Sequence, residues 1–124
     1  MAEPLLVDTD ILIDCLRGRS HALTFLQGQD TRPFVSAASV AELYAGVRDE
    51  ERSDLQVFLS AFRVAPVSEE IARAGGLYRR DFGPSHGSGL VDGIIAATAA
   101  VLDARLATLN RRHYPMLSDV LVPY

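Results

Sequence analysis

The chain reads as a three-layer α/β/α domain with a central, mainly parallel sheet of four to five strands. Two observations carry that reading. Short apolar, β-prone runs alternate along the chain with longer stretches of helical period, the pattern of a parallel sheet covered by helices on both faces. The first run, Leu5-Leu6-Val7, is apolar at successive positions, as a strand buried on both sides must be.

The elements follow in order. After the Leu5–Val7 strand, Ile11, Leu12 and Leu16 predict a short helix over 10–16 that Gly18 ends. Ser20 is read as the cap of a second helix, stopped by Gly28. Arg32-Pro33-Phe34-Val35 follows turn-like residues and reads as strand two, with proline at its start. Val40, Leu43, Tyr44 and Val47 fall at i, i+3, i+4 and i+7, so 39–47 is a helix. The polar cluster 48–53 turns the chain, and Leu55, Phe58, Leu59 and Phe62 form the stripe of another helix. Strand three is 63–67. Ser68 then caps a helix with Glu69 and Glu70 in its first turn, where the dipole favours acids, and Gly75-Gly76 weaken its middle. GPSHGSG, 83–89, reads as a flexible loop by composition. Leu90–Leu102 is apolar all round and alanine-rich, so it is expected to be buried. Strand four is 105–109 and a last strand 120–122.

Length and composition limit the function classes. At 124 residues, the chain is expected to be a single domain, 1–124. No apolar run approaches the ~20 residues of a membrane span. MAEPLLVD has no basic flank, so no signal peptide is expected, and Cys15 has no partner for an intrachain disulfide. A soluble cytoplasmic protein is the expectation. With net charge −4, it is not a generic polyanion binder. All 12 basic residues are arginine, which excludes P-loop and Schiff-base lysine chemistry. Phosphate contact is left to guanidinium, which suits bidentate recognition.

Asp8, Glu42 and Asp92 are carboxylates in apolar surroundings. Asp8 follows the first strand, Glu42 lies in the first turn of the helix after strand two, and Asp92 near the start of the buried helix. Ligands of open parallel sheets gather beyond the carboxyl ends of the strands, so the three acids can converge on one crevice. Clustered buried carboxylates repel unless a hard divalent cation sits between them. Each acid also has a plain structural role. Ser39-x-x-Glu42 matches a capping box, Asp92 suits a helix N-terminus, and Asp8 can open an Asx turn. Asp10 is read as the cap of the short helix and Asp14 as solvent-facing. Asp8-x-Asp10 is also the arrangement of haloacid-dehalogenase-type phosphatases, but those need a lysine. His21, His86, His113 and Cys15 lack zinc-ligand spacing, and Cys15 is read as core.

LLVDTDILID, SVAELYAG around Glu42, GLVDGIIAATA around Asp92 and LATLNRRHY come in one order over essentially the whole chain. In these pieces the chain resembles a PIN-domain ribonuclease, specifically a VapC-type toxin of a toxin–antitoxin pair. The resemblance implies a PIN-like fold and a metal-dependent endoribonuclease using Mg²⁺ or Mn²⁺. Asp8, Glu42 and Asp92 would bind the metal, with Glu42 also helping to position the attacking water. Thr9 and Thr108 would be hydroxyls that orient these acids. Asn110 stands where the family often has a fourth acid, and His113 where another aspartate is common. Asparagine can hold a water but carries no charge, which weighs against a fully occupied second metal site. Arg111 and Arg112 are the nearest candidates for RNA phosphates, Arg79 and Arg80 weaker ones.

The resemblance also implies a homodimer and a cognate VapB-type antitoxin. Tyr44, Val47, Phe58, Leu59 and Phe62 offer apolar surface that is divided between core and interface. Two rival readings stay open at this stage: a PIN fold that binds without cutting, and a nuclease acting on DNA.

Overall fold

The computed structural model describes residues 3–124. Strands β1 (Leu5–Val7), β2 (Phe34–Ser36), β3 (Arg63–Ala65), β4 (Arg105–Ala107) and β5 (Val120–Leu121) form one sheet in the order β3-β2-β1-β4-β5. Every pairing is parallel, and Leu6 lies opposite both Phe34 and Leu106. The helices are α1 (Thr9–Leu16), α2 (Ser20–Gln27), α3 (Ala37–Ala45), α4 (Arg52–Leu59), α5 (Glu69–His86) and α6 (Leu90–Leu102). Single 3-10 turns cover Asp49–Glu51 and Arg111–His113.

Alternation along β1 separates two cores. Val7 packs with Ile11, Leu12, Val35, Leu43, Leu55 and Phe62 beneath α1–α4. Its neighbour Leu6 faces the other way, onto Ile95, Ala96, Leu106, Tyr114 and Val120. A strand's period of two thus yields the three layers. The chain runs from β1 outward to β2 and β3, then returns to β4 on the other side of β1. The β1/β4 boundary is therefore the switch point where an open parallel sheet leaves a crevice. No helix among the described residues is long and apolar enough to cross a membrane.

Several elements differ from expectation for identifiable reasons. Gly83–His86 is no loop but the last turn of α5, which reaches Gly87. Gly87 takes the left-handed conformation at φ 68°, and its N–H bonds to the Gly83 carbonyl. Pro84 fits because helix continuation costs only one backbone bond there, while Phe82 and His86 stack edge to face. Arg19, not Ser20, precedes α2 as its cap position. Leu59 and Phe62 belong to the core, whereas Tyr44 is exposed. Leu90–Leu102 is buried only through its middle: Leu90 and Val101 are about half exposed at its ends.

Gly75 and Gly93 set the distance between α5 and α6. A Cβ on Gly93 would lie 2.3 Å from the Gly75 carbonyl oxygen, and one on Gly75 would lie 2.8 Å from the Ile94 Cα. The glycines that weaken α5 by propensity thus permit a close backbone crossing. That crossing fixes α6 one residue from Asp92.

Candidate active site

Asp8 lies where β1 runs out and is the N-cap residue of α1, its Oδ1 accepting the Thr9 N–H at 2.7 Å. It is only 5% exposed. Thr108, directly after β4, donates its hydroxyl to Asp8 Oδ2 at 2.7 Å, and the Asn110 N–H holds the Thr108 oxygen at 3.0 Å. The switch point thus brings together two residues a hundred positions apart.

Asp92 enters from α6. Its Oδ2 accepts the Gly89 N–H at 2.9 Å and lies 3.2 Å from His113 Nδ1. Its Oδ1 lies 3.2 Å from the Tyr114 hydroxyl, which lies 2.9 Å from Asp8 Oδ2. Asp8 and Asp92 therefore meet on one phenol oxygen. Tyr114 is 1% exposed, its ring packed in the second core and only its hydroxyl reaching the crevice.

Glu42 reaches the site less directly. It is exposed, in the second turn of α3 rather than the first, because that helix starts at Ala37 behind an N-cap at Ser36. The Ser36 hydroxyl accepts the Ala38 N–H, so no capping box forms at Ser39 and Glu42. Instead Thr9 Oγ1 donates to Glu42 Oε1 at 2.7 Å and lies 2.9 Å from the buried Ser39 hydroxyl. Thr9 thus contacts Glu42, and Thr108 contacts Asp8.

Sequence reasoning misplaced Asp10 and Asp14. Asp8 takes the cap position, and Asp10 turns into the site, where its Oδ2 accepts the Leu109 N–H at 2.9 Å. Asp14 is largely covered, accepting a 2.7 Å bond from the Tyr124 hydroxyl beside Arg19. The Tyr114 bridge, the Ser39 contact and the His113–Asp92 contact were not foreseen. Their only sequence signal is membership of the segments LATLNRRHY and SVAELYAG. Arg111 and Arg112 are exposed next to the site, with one Arg111 nitrogen 3.4 Å from the Val120 carbonyl. Arg80 is spent on Asp81 at 2.8 Å.

The electrostatics follow from burial. Desolvation, and then the charge of Asp10, push the Asp8 carboxyl up to about 7, against hydrogen bonds from Thr108, Tyr114 and the Thr9 N–H. Burial raises Asp10 as well. Burial and the charges of Asp8 and Asp92 hold the Tyr114 hydroxyl far above the usual phenol range, so it stays protonated. It has one proton for two carboxylates.

Positive charge is what this arrangement lacks, and oxygen donors are what it offers. Among the described residues, no three His, Cys, Asp or Glu side chains close around a point as a metal cage. Mg²⁺ does not need such a cage, since it is commonly held by one or two carboxylates and keeps several waters. The donor set of Asp8 and Asp92 fits a hard cation of that kind.

A groove of about 460 Å³ adjoins the crevice, floored by Ile13, Leu16, Leu43, Val47 and Leu55. Glu42 lines this groove and also bonds Thr9, so it belongs to both places.

The family model described as PIN domain matches residues 5–116, and the chain belongs to the PIN-domain family. Within that family the likeness is to the VapC type. The chain is 43% identical to Ribonuclease VapC10 of Mycobacterium tuberculosis, over 97% of this chain and 92% of that one. It is 45% identical to Ribonuclease VapC19 of the same organism, over 96% and 98%. A solved structure described as a toxin–antitoxin complex from Klebsiella pneumoniae superposes with TM-score 0.84 at 28% identity, covering 97% of this chain and 98% of that one.

Proposed function

We propose that this chain is a Mg²⁺- or Mn²⁺-dependent endoribonuclease that hydrolyses RNA phosphodiester bonds and acts in the cytoplasm as the toxin of a toxin–antitoxin pair. The observation that carries the reading is the meeting of Asp8 and Asp92 at the β1/β4 switch point. Identity of 43–45% to relatives named Ribonuclease VapC supports RNA as the substrate.

Asp8 and Asp92 would hold the metal, with Glu42 assisting directly or through water. The chemistry supplied there by Mg²⁺ or Mn²⁺ is positive charge against the scissile phosphate and acidification of a water. Thr108 and Tyr114 fix the Asp8 carboxylate from the buried side. The Gly89 N–H fixes that of Asp92. Thr9 steadies Glu42, which would take the proton of the water as its oxygen bonds to phosphorus and the bond from phosphorus to the leaving ribose oxygen breaks, that oxygen being protonated from solvent. Arg111 and Arg112 contact the flanking phosphates, and Asn110 holds a water at the mouth of the crevice.

The partner is a cognate VapB-type antitoxin, supported by the toxin–antitoxin complex to which the chain is structurally similar. The protein works as a homodimer, a reading supported by the exposed apolar residues Leu77, Leu90 and Val101 on α5 and α6.

The test is cleavage of total cellular RNA by antitoxin-free protein with Mg²⁺ or Mn²⁺, with EDTA and Asp92→Asn controls and a DNA substrate in parallel. The expected result is discrete RNA fragments that vanish in both controls. No cleavage, together with no metal binding, would make the chain a binding module; cleavage of DNA alone would overturn the substrate.

A further inference from the structure

Among the described residues, Tyr114 is the one side chain hydrogen-bonded to both central acids, and it is fixed from below. Its ring is enclosed by Leu6, Ile95, Leu106 and Val120 on the α6 side of the sheet, so its hydroxyl has a set position. The outer oxygens of the acids are held elsewhere: Asp8 Oδ1 by the Thr9 N–H, Asp92 Oδ2 by the Gly89 N–H and His113. The inner oxygens, Asp8 Oδ2 and Asp92 Oδ1, both rest on the Tyr114 hydroxyl, at 2.9 and 3.2 Å. Of these two acids Thr108 reaches only Asp8, at 2.7 Å, and it also lies 3.4 Å from Asp10 Oδ2.

We infer that Tyr114 is a positioning residue whose hydroxyl sets the interval between the Asp8 and Asp92 carboxylates and so prepares them to share one divalent cation. This deepens the metal-nuclease reading and rests on it. Two like charges left to themselves splay apart, and bringing them together again opposes metal binding. A phenol anchored in the core holds them at a fixed separation before the metal arrives. A phenylalanine would fill the same core space but leave both inner oxygens without that anchor.

The test compares Mn²⁺ binding, read by the electron paramagnetic resonance of free Mn²⁺, in the full-length wild type, Tyr114→Phe and Thr108→Val. Thermal unfolding in EDTA accompanies each protein. Tyr114→Phe is expected to unfold cooperatively in EDTA yet bind Mn²⁺ roughly ten- to a hundredfold more weakly, the usual size for groups that orient metal ligands. Thr108→Val, which touches only one of the two acids, is expected to lose less. Equal or tighter Mn²⁺ binding by Tyr114→Phe would overturn the inference while leaving the metal reading intact. A wild type that binds no Mn²⁺ would overturn both. Should Tyr114→Phe fail to fold, Tyr114→Met, a flexible filler with no hydrogen-bond donor, carries the test: weaker Mn²⁺ binding supports the inference, and wild-type affinity overturns it.

Discussion

The two wings of the crevice are built to opposite designs. On the β1/β4 side, Asp8 is 5% exposed and held by Thr108, Tyr114 and a backbone N–H. On the α3 side, Glu42 is exposed and held by one threonine hydroxyl. Burial raises the energy of a charge, and several hydrogen bonds fix its place; an exposed carboxylate with one such bond stays in contact with water. On the proposed function the buried wing would hold the cation and the exposed wing would face the attacking water.

The sharpest way to break this contrast is to neutralise each wing. Asp8→Asn and Asp92→Asn should each abolish detectable RNA cleavage, a loss on the order of a thousandfold or more, since removing charge stabilisation at the reacting phosphate costs at least that. Both variants should remain folded by circular dichroism. Glu42→Gln should retain more, losing about a hundredfold in kcat, the lower range for a displaced general base. Equal losses at Asp8 and Glu42 would erase the distinction between the wings.

Stability against pH gives a second contrast. The Asp8 carboxyl is raised from 3.8 to about 7 in the folded protein, so the folded state binds its proton more tightly than the unfolded chain. This contribution is fully present below pH 3.8 and is lost as pH rises through 7. Metal-free wild type should thus lose up to about 4 kcal/mol of stability between those limits relative to Asp8→Asn, since each tenfold difference in proton affinity is worth ~1.4 kcal/mol. Denaturant titrations of both proteins in EDTA at pH 4, 5.5 and 7.5 measure it. Parallel pH profiles would show that burial does not strain Asp8.

The glycine crossing offers a smaller, purely steric effect. Gly93→Ala would place a Cβ 2.3 Å from the Gly75 carbonyl oxygen. Overpacking of that kind costs about 1–3 kcal/mol, and the shift of α6 should carry Asp92 with it. Unfolding midpoint and cleavage rate should fall together. Gly76→Ala, with nothing within 4 Å of its Cβ, should leave cleavage unchanged and serve as the control.

Much of this was legible in the chain because local chemistry repeats. Leu5–Val7 reads as a buried strand, Ser68 caps α5 as its position suggests, and Gly28 ends α2. Asp8 and Asp92 sit at element ends, so a parallel sheet makes their meeting a matter of topology, whereas Glu42, in the second turn of α3, contacts Thr9. GPSHGSG misled because composition favours a loop, while the contact of α5 with α6 carries the helix on to Gly87. Asp10 misled because α1 begins at Thr9 behind an N-cap at Asp8, two residues earlier than a cap at Asp10 needs.

The sequence by itself determined the α/β alternation, the apolar faces and the identity of the acids, since each depends on residues near one another along the chain. Tertiary structure alone decided which partners those acids meet. Asp8 bonds Tyr114 across 106 positions and Thr108 across 100, because the sheet sets β4 beside β1 and the core fixes the Tyr114 ring beneath them. No local pattern encodes a hydroxyl that rises through the core to touch two carboxylates. That contact exists only once the strands are paired and the interior is packed.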